Sequence, residues 1–453
     1  MSILEIPEIV ALDSRRNIIR LPGETDAPLT PRVRRIIDTP QFRRLAGIRQ
    51  LGLVSLVYPG AIHSRFEHSL GVYRLALILL QRLTRSSAFE SIVSWQGAEL
   101  LILSALLHDV GHYPFCHPIE DMRLPGEKPH EAGAARYLLD ESSEIATAIR
   151  EDWNSSAEDV LYLLSGALPR GETFLSTRPN VRKLLAGLLS GPADIDKMDY
   201  LFRDSLHAGV PYGKNFDQER LLSGFCLNQN QDGPAISTKG KTAAELMVFA
   251  RYVMFSEVYW HHTVRSATAM LQRMCFEIYQ HQNRSGHAPA SLVESLQNTT
   301  DAEAIRYFET LSTHAGVEEI WSGLFGQKRC LYKQIAEFSY FEAQEPYHRL
   351  ARRPFAELAQ LARQTAFRLQ ESGVQIEPHE ILIDAPPVEK EIEWIIDVRD
   401  PKDGKYRPLA EISPAVRVLA TEQFDDFVKR ARLFVHPRQI QNASRILEAM
   451  ELR

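Results

Sequence analysis

The sequence predicts a mainly α protein: a long helical core followed by a smaller α+β C-terminal region with a few short strands. Three observations carry this. Leu, Ala and Ile recur at helical spacing between short polar loops through residues 30–205. Helical periodicity returns from Ala243 to about His281 and from Ala302 to about Ser322. Residues 331–410 hold the best strand candidates, Gln375-Ile376-Glu377 and Ile392 to Val398, followed by the turn signal Lys402-Asp403-Gly404-Lys405. At 453 residues the chain can bury a large core, and length alone suggests more than one domain. The expected division is an N-terminal segment (1–30), a helical core (31–325) and a C-terminal α+β region (326–453).

The elements follow in order. The opening MSILEIPEIV lacks a basic stretch and a long apolar run, so no secretory signal is expected. Leu75 to Leu83 and Val181 to Leu189 are typical of the helices. Ala98 to Leu107 is almost wholly apolar and reads as a buried helix that delivers polar groups to a cavity wall. Between Gly209 and Lys241 the pattern changes to Gly, Pro, Asn and Asp, a loop or short hairpin. A break falls at Asn283 to Pro289, and the chain closes with an amphipathic helix from Ile440 to Met450. No apolar run approaches the roughly 18 residues of a membrane-spanning helix.

Hydrophobic and charged contents of 44% and 24% are those of an ordinary globular protein. A formal charge of -6 argues against a nucleic-acid coat or an anionic-membrane binder, while leaving room for a local basic pocket. Nucleic acid is therefore not an indicated partner. Cys116, Cys226, Cys275 and Cys330 lie far apart and form no CxxC pair, which reads as reduced thiols in a cytoplasmic protein.

Polar groups gather in five otherwise apolar segments. They are Gln50-Leu51-Gly52 with Ala61 to Gly71; His108-Asp109 with His112 and His117; His130-Glu131; Asp194 to Asp204; and Arg251 with Tyr259 to His262. His108 and His112, four apart, would share one helix face, with Asp109 reaching an ion near the helix end. Asp196, Tyr200 and Asp204 likewise line one face. Each segment alone reads as readily as structural: an HD pair is common by chance, and a charged helix face is usually solvated. Their combination supplies two imidazoles and two carboxylates for a divalent cation, with further histidines and basic groups to meet phosphate.

The order H…HD…D within SRFEHSLG, LLHDVGHYPFCH, PHEAG and DIDKMDYLFRDS resembles the HD-domain phosphohydrolases. More narrowly it resembles the deoxynucleoside triphosphate (dNTP) triphosphohydrolases, which include bacterial dGTPases and the SAM-and-HD-domain dNTPase of animals. Ile36 to Phe42, Arg44-Leu45, Gln50 to Gly52 and Pro59 to Ala61 are similar to that family's entry sequence. The resemblance implies an HD-domain helical core and metal-dependent hydrolysis of dNTPs to deoxynucleoside and inorganic triphosphate.

Carried over by residue, it implies that His68, His108, Asp109 and Asp196 hold a divalent ion (Mn, Fe, Zn, Co or Ni), with Mg²⁺ accompanying the triphosphate. Such an ion polarises the α-phosphorus and acidifies a bound water. It also implies His130 as general acid for the departing sugar oxygen, oriented by Glu131, with His112 sharing the role. Arg65, Lys197, Tyr200 and Arg251 would meet the phosphates, and His117 would stand beside the substrate. Gln50 and Asp204 would hold the 3′-hydroxyl, while Leu51 and Tyr259 press against C2′ of the sugar. Relatives assemble as dimers or tetramers, so a homo-oligomer is expected. Ala46 stands where an activator-contacting arginine is found in the animal enzyme, and Ser14 to Arg20 does not reproduce the activator motif. Two other readings compete: a phosphodiesterase acting on another nucleotide or nucleic-acid end, and a non-catalytic nucleotide sensor on the same scaffold.

Overall fold

Ser64, in an extended conformation, accepts a hydrogen bond from the Glu67 amide (3.3 Å) and so starts the helix that carries the first cluster of polar residues. The computed structural model describes residues 2–23, 25–127, 130–284, 292–388, 396–419 and 428–452. The helices that build the functional region are α1 (Arg65–Leu83), α2 (Trp95–Leu107), α3 (Cys116–Glu120), α4 (His130–Gly133), α5 (Pro179–Ser190), α6 (Ile195–Ala208), α7 (Lys241–Met254) and α8 (His262–Arg284). Helix α2 is buried at every position from Gly97 to Leu107, as its continuous apolar sequence requires. It lies against α1, and α6 also packs against α1.

One glycine sets that last contact. A Cβ at Gly71 would lie 1.9 Å from Asp199 Oδ1 and 2.2 Å from an Arg203 guanidinium nitrogen, so only glycine admits α6 this closely.

Helix α2 ends at Leu107, and His108 is its C-cap. Residues 108–111 form turns, so His108 and His112 do not share a helix face as their spacing suggested. Arg44, buried beneath the turn, donates to the Val110 carbonyl (2.9 Å) and the His112 carbonyl (2.8 Å) and fixes its path. The expected helix from Ala243 to His281 is instead α7, a π-helical turn at Phe255–Tyr259, and α8. The stretch Ala302 to Ser322 likewise divides into α9 (Asp301–His314) and α10 (Glu318–Phe325), because Gly316 takes φ +70° between them.

The strands form three small sheets. β1 (Ile18–Ile19) and β2 (Ala27–Pro28) pair antiparallel. β3 (Phe225–Leu227) and β4 (Pro234–Ser237) make the hairpin anticipated within 209–241. β4 then pairs parallel with β7 (Asp397–Arg399), which pairs antiparallel with β8 (Tyr406–Pro408) across the anticipated turn. The third sheet has the order β5-β9-β6, built from Lys333–Phe338, Ala431–Val435 and Ile381–Asp384. Gln375 to Glu377 is not a strand; it leads into the capping box of Glu377 and Glu380. Of the other candidate, Ile392 to Ile395 lie outside the described residues. The C-terminal helix begins as a 3-10 segment at Pro437–Asn442 and becomes α-helical over Ala443–Ala449.

Buried apolar side chains form three clusters: one centred on α1, α2, α5, α6 and α7, one on α8 to α10, and one beneath the third sheet. A cavity of about 1090 Å³ opens where the first two meet.

Candidate active site

In the lining of this cavity, four side chains from three elements converge. His68 comes from α1, His108 and Asp109 from the end of α2, and Asp196 from the first turn of α6. Asp194 caps α6 by accepting from the Lys197 amide (2.6 Å), which orients that first turn. His68 Nε2 lies 3.1 Å from His108 Nε2 and 3.0 Å from Asp196 Oδ1. His108 Nε2 lies 3.4 Å from Asp109 Oδ1 and 3.7 Å from Asp196 Oδ1.

The ring nitrogens facing away are already engaged. His68 Nδ1 pairs with Asp199 Oδ2 (2.8 Å), and His108 Nδ1 pairs with the Ala105 carbonyl (2.9 Å). With both Nδ1 protons donated outward, the two Nε2 lone pairs point at each other. That arrangement needs a positive charge between them. Burial alone would lower the His68 pKa, but the Asp196 and Asp199 carboxylates outweigh it and raise it to about 10. A divalent cation supplies the same charge, and the donor set of two imidazoles and two carboxylates suits one.

The supporting groups extend outward. Asp199 accepts two hydrogen bonds from Arg203 (2.7 and 2.8 Å), and Arg203 also donates to Glu67 (2.8 Å). Although burial opposes its charge, Arg203 and His68 hold the Asp199 carboxyl down at about 2. Asp199 thus remains ionised and fixes the His68 tautomer, the carboxylate–histidine–metal arrangement that tunes metal sites. The sequence reading passed over Asp199, Arg203 and Glu67; all three lay within segments quoted for other residues.

Beyond the ion site, Asp109 Oδ2 accepts from Arg65 (2.8 Å), and Asp109 Oδ1 lies 3.1 Å from His112 Nδ1. His112 stacks obliquely on His130 at 3.8 Å between ring centres, and His117 meets both rings edge-on. Gly111 permits this meeting: a Cβ there would lie 2.3 Å from the His130 carbonyl, so α4 could not approach the turn. Burial, with Arg65 second, holds His112 well below the usual histidine range and His117 at about 4, so both are neutral near pH 7.

The partner of His130 is Glu120, at the end of α3. Its Oε2 lies 2.9 Å from His130 Nδ1, and its Oε1 accepts from the His130 amide (2.6 Å). The Glu131 side chain, expected in that role, lies outside the described residues. Nothing in the sequence distinguished Glu120 except its place beside His117.

Further along α6, Asp204 receives a hydrogen bond from the Tyr259 hydroxyl (2.6 Å) and pairs with His63 Nε2 (2.8 Å). Tyr259 ends the π-helical turn, a distortion that often marks functional sites. Burial and the Asp204 carboxylate keep its phenol protonated. Gln50, Leu51, Arg65, His117, Tyr200, Asp204 and Tyr259 all line the cavity. Gln50 Oε1 and Arg65 Nε are buried with no hydrogen-bond partner among the described residues, which makes them groups a polar ligand would satisfy.

Two other residues expected at the phosphates have partners of their own. Lys197 Nζ pairs with Asp194 Oδ2 (2.7 Å), and Arg251 stacks its guanidinium on the Phe255 ring; neither lines the cavity.

Residues 65–180 match the HD domain, and residues 216–447 match the HD associated region. The chain belongs to the HD-domain family. The His–Asp cluster is the feature that names the family. An uncharacterised protein of Methanocaldococcus jannaschii is 31% identical over 328 residues, covering 72% of this chain and 60% of that relative. The human deoxynucleoside triphosphate triphosphohydrolase SAMHD1 is 33% identical over 222 residues, 45% of this chain and 35% of that protein. The chain therefore spans three-fifths or less of the length of these relatives. A hypothetical protein from Aquifex aeolicus superposes with a TM-score of 0.66 at 26% identity, covering 93% of this chain and 96% of that one. No helix among the described residues is long and apolar enough to cross a membrane.

Proposed function

We propose that this HD-domain protein hydrolyses dNTPs to deoxynucleoside and inorganic triphosphate. The observation that carries the reading is that one cavity is lined both by the cation cluster and by the hydrogen-bonded Asp204–Tyr259 pair, together with Gln50 and Leu51. At about 1090 Å³ it has room for a nucleotide with its triphosphate. The resemblance to SAMHD1 supports the same substrate class.

The roles follow from chemistry. A divalent ion held by His68, His108, Asp109 and Asp196 would supply Lewis-acid charge beside the scissile phosphate. Arg65, fixed by Asp109, presents guanidinium N–H groups to phosphate oxygens. His130 donates a proton to the 5′-oxygen as the bond from that oxygen to the α-phosphorus breaks, and the Glu120 carboxylate favours its charged form. Neutral His112 and His117 crowd the same face without adding competing charge. Gln50 and Asp204 meet the 3′-hydroxyl, and Leu51 with the Tyr259 ring closes the space at C2′, where a ribose hydroxyl finds no partner.

A product assay on a panel of dNTPs and NTPs with Mn²⁺ or Mg²⁺ tests this. Release of intact triphosphate from dNTPs is expected. Release of pyrophosphate or orthophosphate as the first product would refute it.

A further inference from the structure

Four side chains beside the His–Asp cluster form a second donor set. His112, Cys116, His117 and His130 each offer one ligand atom, and these atoms lie within 4.8 Å of one another. We infer that they form a separate cation site that takes a thiophilic divalent ion such as Zn²⁺. A sulfur with three imidazoles is a softer set than the oxygen-rich His–Asp cluster, and thiolate ligation selects Zn²⁺ over Mn²⁺ or Mg²⁺.

The fold supports the assignment at each donor. Cys116 and His117 are consecutive on α3, and Phe115 before them takes the left-handed φ of +57°, a strained turn that swings both toward the His112 ring. His130 arrives through the close approach at Gly111. Its Nδ1 is held by Glu120 at 2.9 Å, the carboxylate support typical of a metal-bound histidine. Tetrahedral zinc sets neighbouring donors roughly 3.3–3.6 Å apart, so the cluster would draw inward by about 1 Å on binding.

Burial pushes the Cys116 thiol well above its usual range, with Glu120 adding to the effect. The S–H bond therefore breaks as the S–metal bond forms, the proton passes to solvent, and binding strengthens as pH rises. Occupancy withdraws the nitrogens of His112 and His130. Binding stands on the donor set alone, whereas inhibition of hydrolysis rests on the function proposed above.

The test preloads the whole protein with Mn²⁺, then titrates Co²⁺ or Zn²⁺ while bound Mn²⁺, Co²⁺ and Zn²⁺ are measured. Cobalt should produce a near-ultraviolet sulfur-to-metal charge-transfer band in the wild type and none in Cys116→Ser. Zinc should bind beyond the retained manganese, and Cys116→Ser should weaken that binding and the inhibition by at least about tenfold, leaving activity without zinc unchanged. A wild-type cobalt complex without the band overturns the proposal, and so does zinc binding that Cys116→Ser leaves intact or that merely expels manganese. If the variant fails to fold, the wild-type cobalt spectrum still decides. A cobalt band in a protein that hydrolyses no dNTP would uphold the site and refute the function.

Discussion

Glu120→Gln isolates the charge that supports His130. The substitution keeps the side chain's size and its place at the end of α3 but removes the negative charge 2.9 Å from His130 Nδ1. A hydrogen bond to a charged group contributes about 1.5–3 kcal/mol, and the lower half applies here because both side chains are partly open to solvent, at 16% and 21%. The loss should slow kcat by roughly 10–50-fold, at about 1.4 kcal/mol per decade. The sign of the pH effect is fixed. Glu120 stabilises the protonated ring, so without it the proton leaves at lower pH. The alkaline limb of the kcat profile should therefore move down by about one to two pH units. The assay is steady-state triphosphate release from a saturating dNTP across pH, with His130→Ala as the control that loses the limb. Wild-type kcat with an unmoved limb would refute the pairing. An equal loss at every pH, with a lowered melting temperature, would reduce Glu120 to a packing role.

The remaining predictions concern the ion site, the sugar and stability. Asp109→Ala or Asp196→Ala should abolish hydrolysis and lower bound metal, measured by elemental analysis; wild-type turnover in either would break the ligand set. Asp199→Asn should weaken metal binding by about 10–100-fold while leaving all four ligands in place, and an unchanged metal Kd would refute the supporting role. GTP should be a much poorer substrate than dGTP, since a buried ribose hydroxyl without a partner costs about 1–3 kcal/mol; equal kcat/KM values would remove Leu51 and Tyr259 from the sugar pocket. In chelated protein His68 titrates at about 10 against 6.5 unfolded, so its contribution to stability is full below 6.5 and is lost as pH rises toward 10. Thermal melts should fall across that window, and less so with metal bound; chelated melts that stay flat there would contradict the carboxylate environment.

What the sequence made legible follows a physical division. Residues that act were readable, because imidazole, carboxylate and guanidinium are rare in apolar surroundings. The family resemblance singled out His68, His108, Asp109 and Asp196 before any distance was known. Residues that support were not readable, because support depends on which backbones approach closely. Asp199 and Arg203 look like solvated charge on α6 until Gly71 lets α1 close over them. Glu131 adjoins His130 in sequence, yet the described carboxylate beside the ring comes from Glu120, ten residues earlier on α3. The family resemblance set Lys197 against phosphate, and its partner in the structure, the carboxylate that caps its own helix at 2.7 Å, was not legible. The strands divide similarly. Ile381–Asp384 is buried on both faces and shows no alternation to read, whereas Gln375 to Glu377 alternates and is coil. Gly71 and Gly111 are therefore as much part of the site as its ligands, since a single added methyl at either would separate groups whose chemistry the sequence already contains.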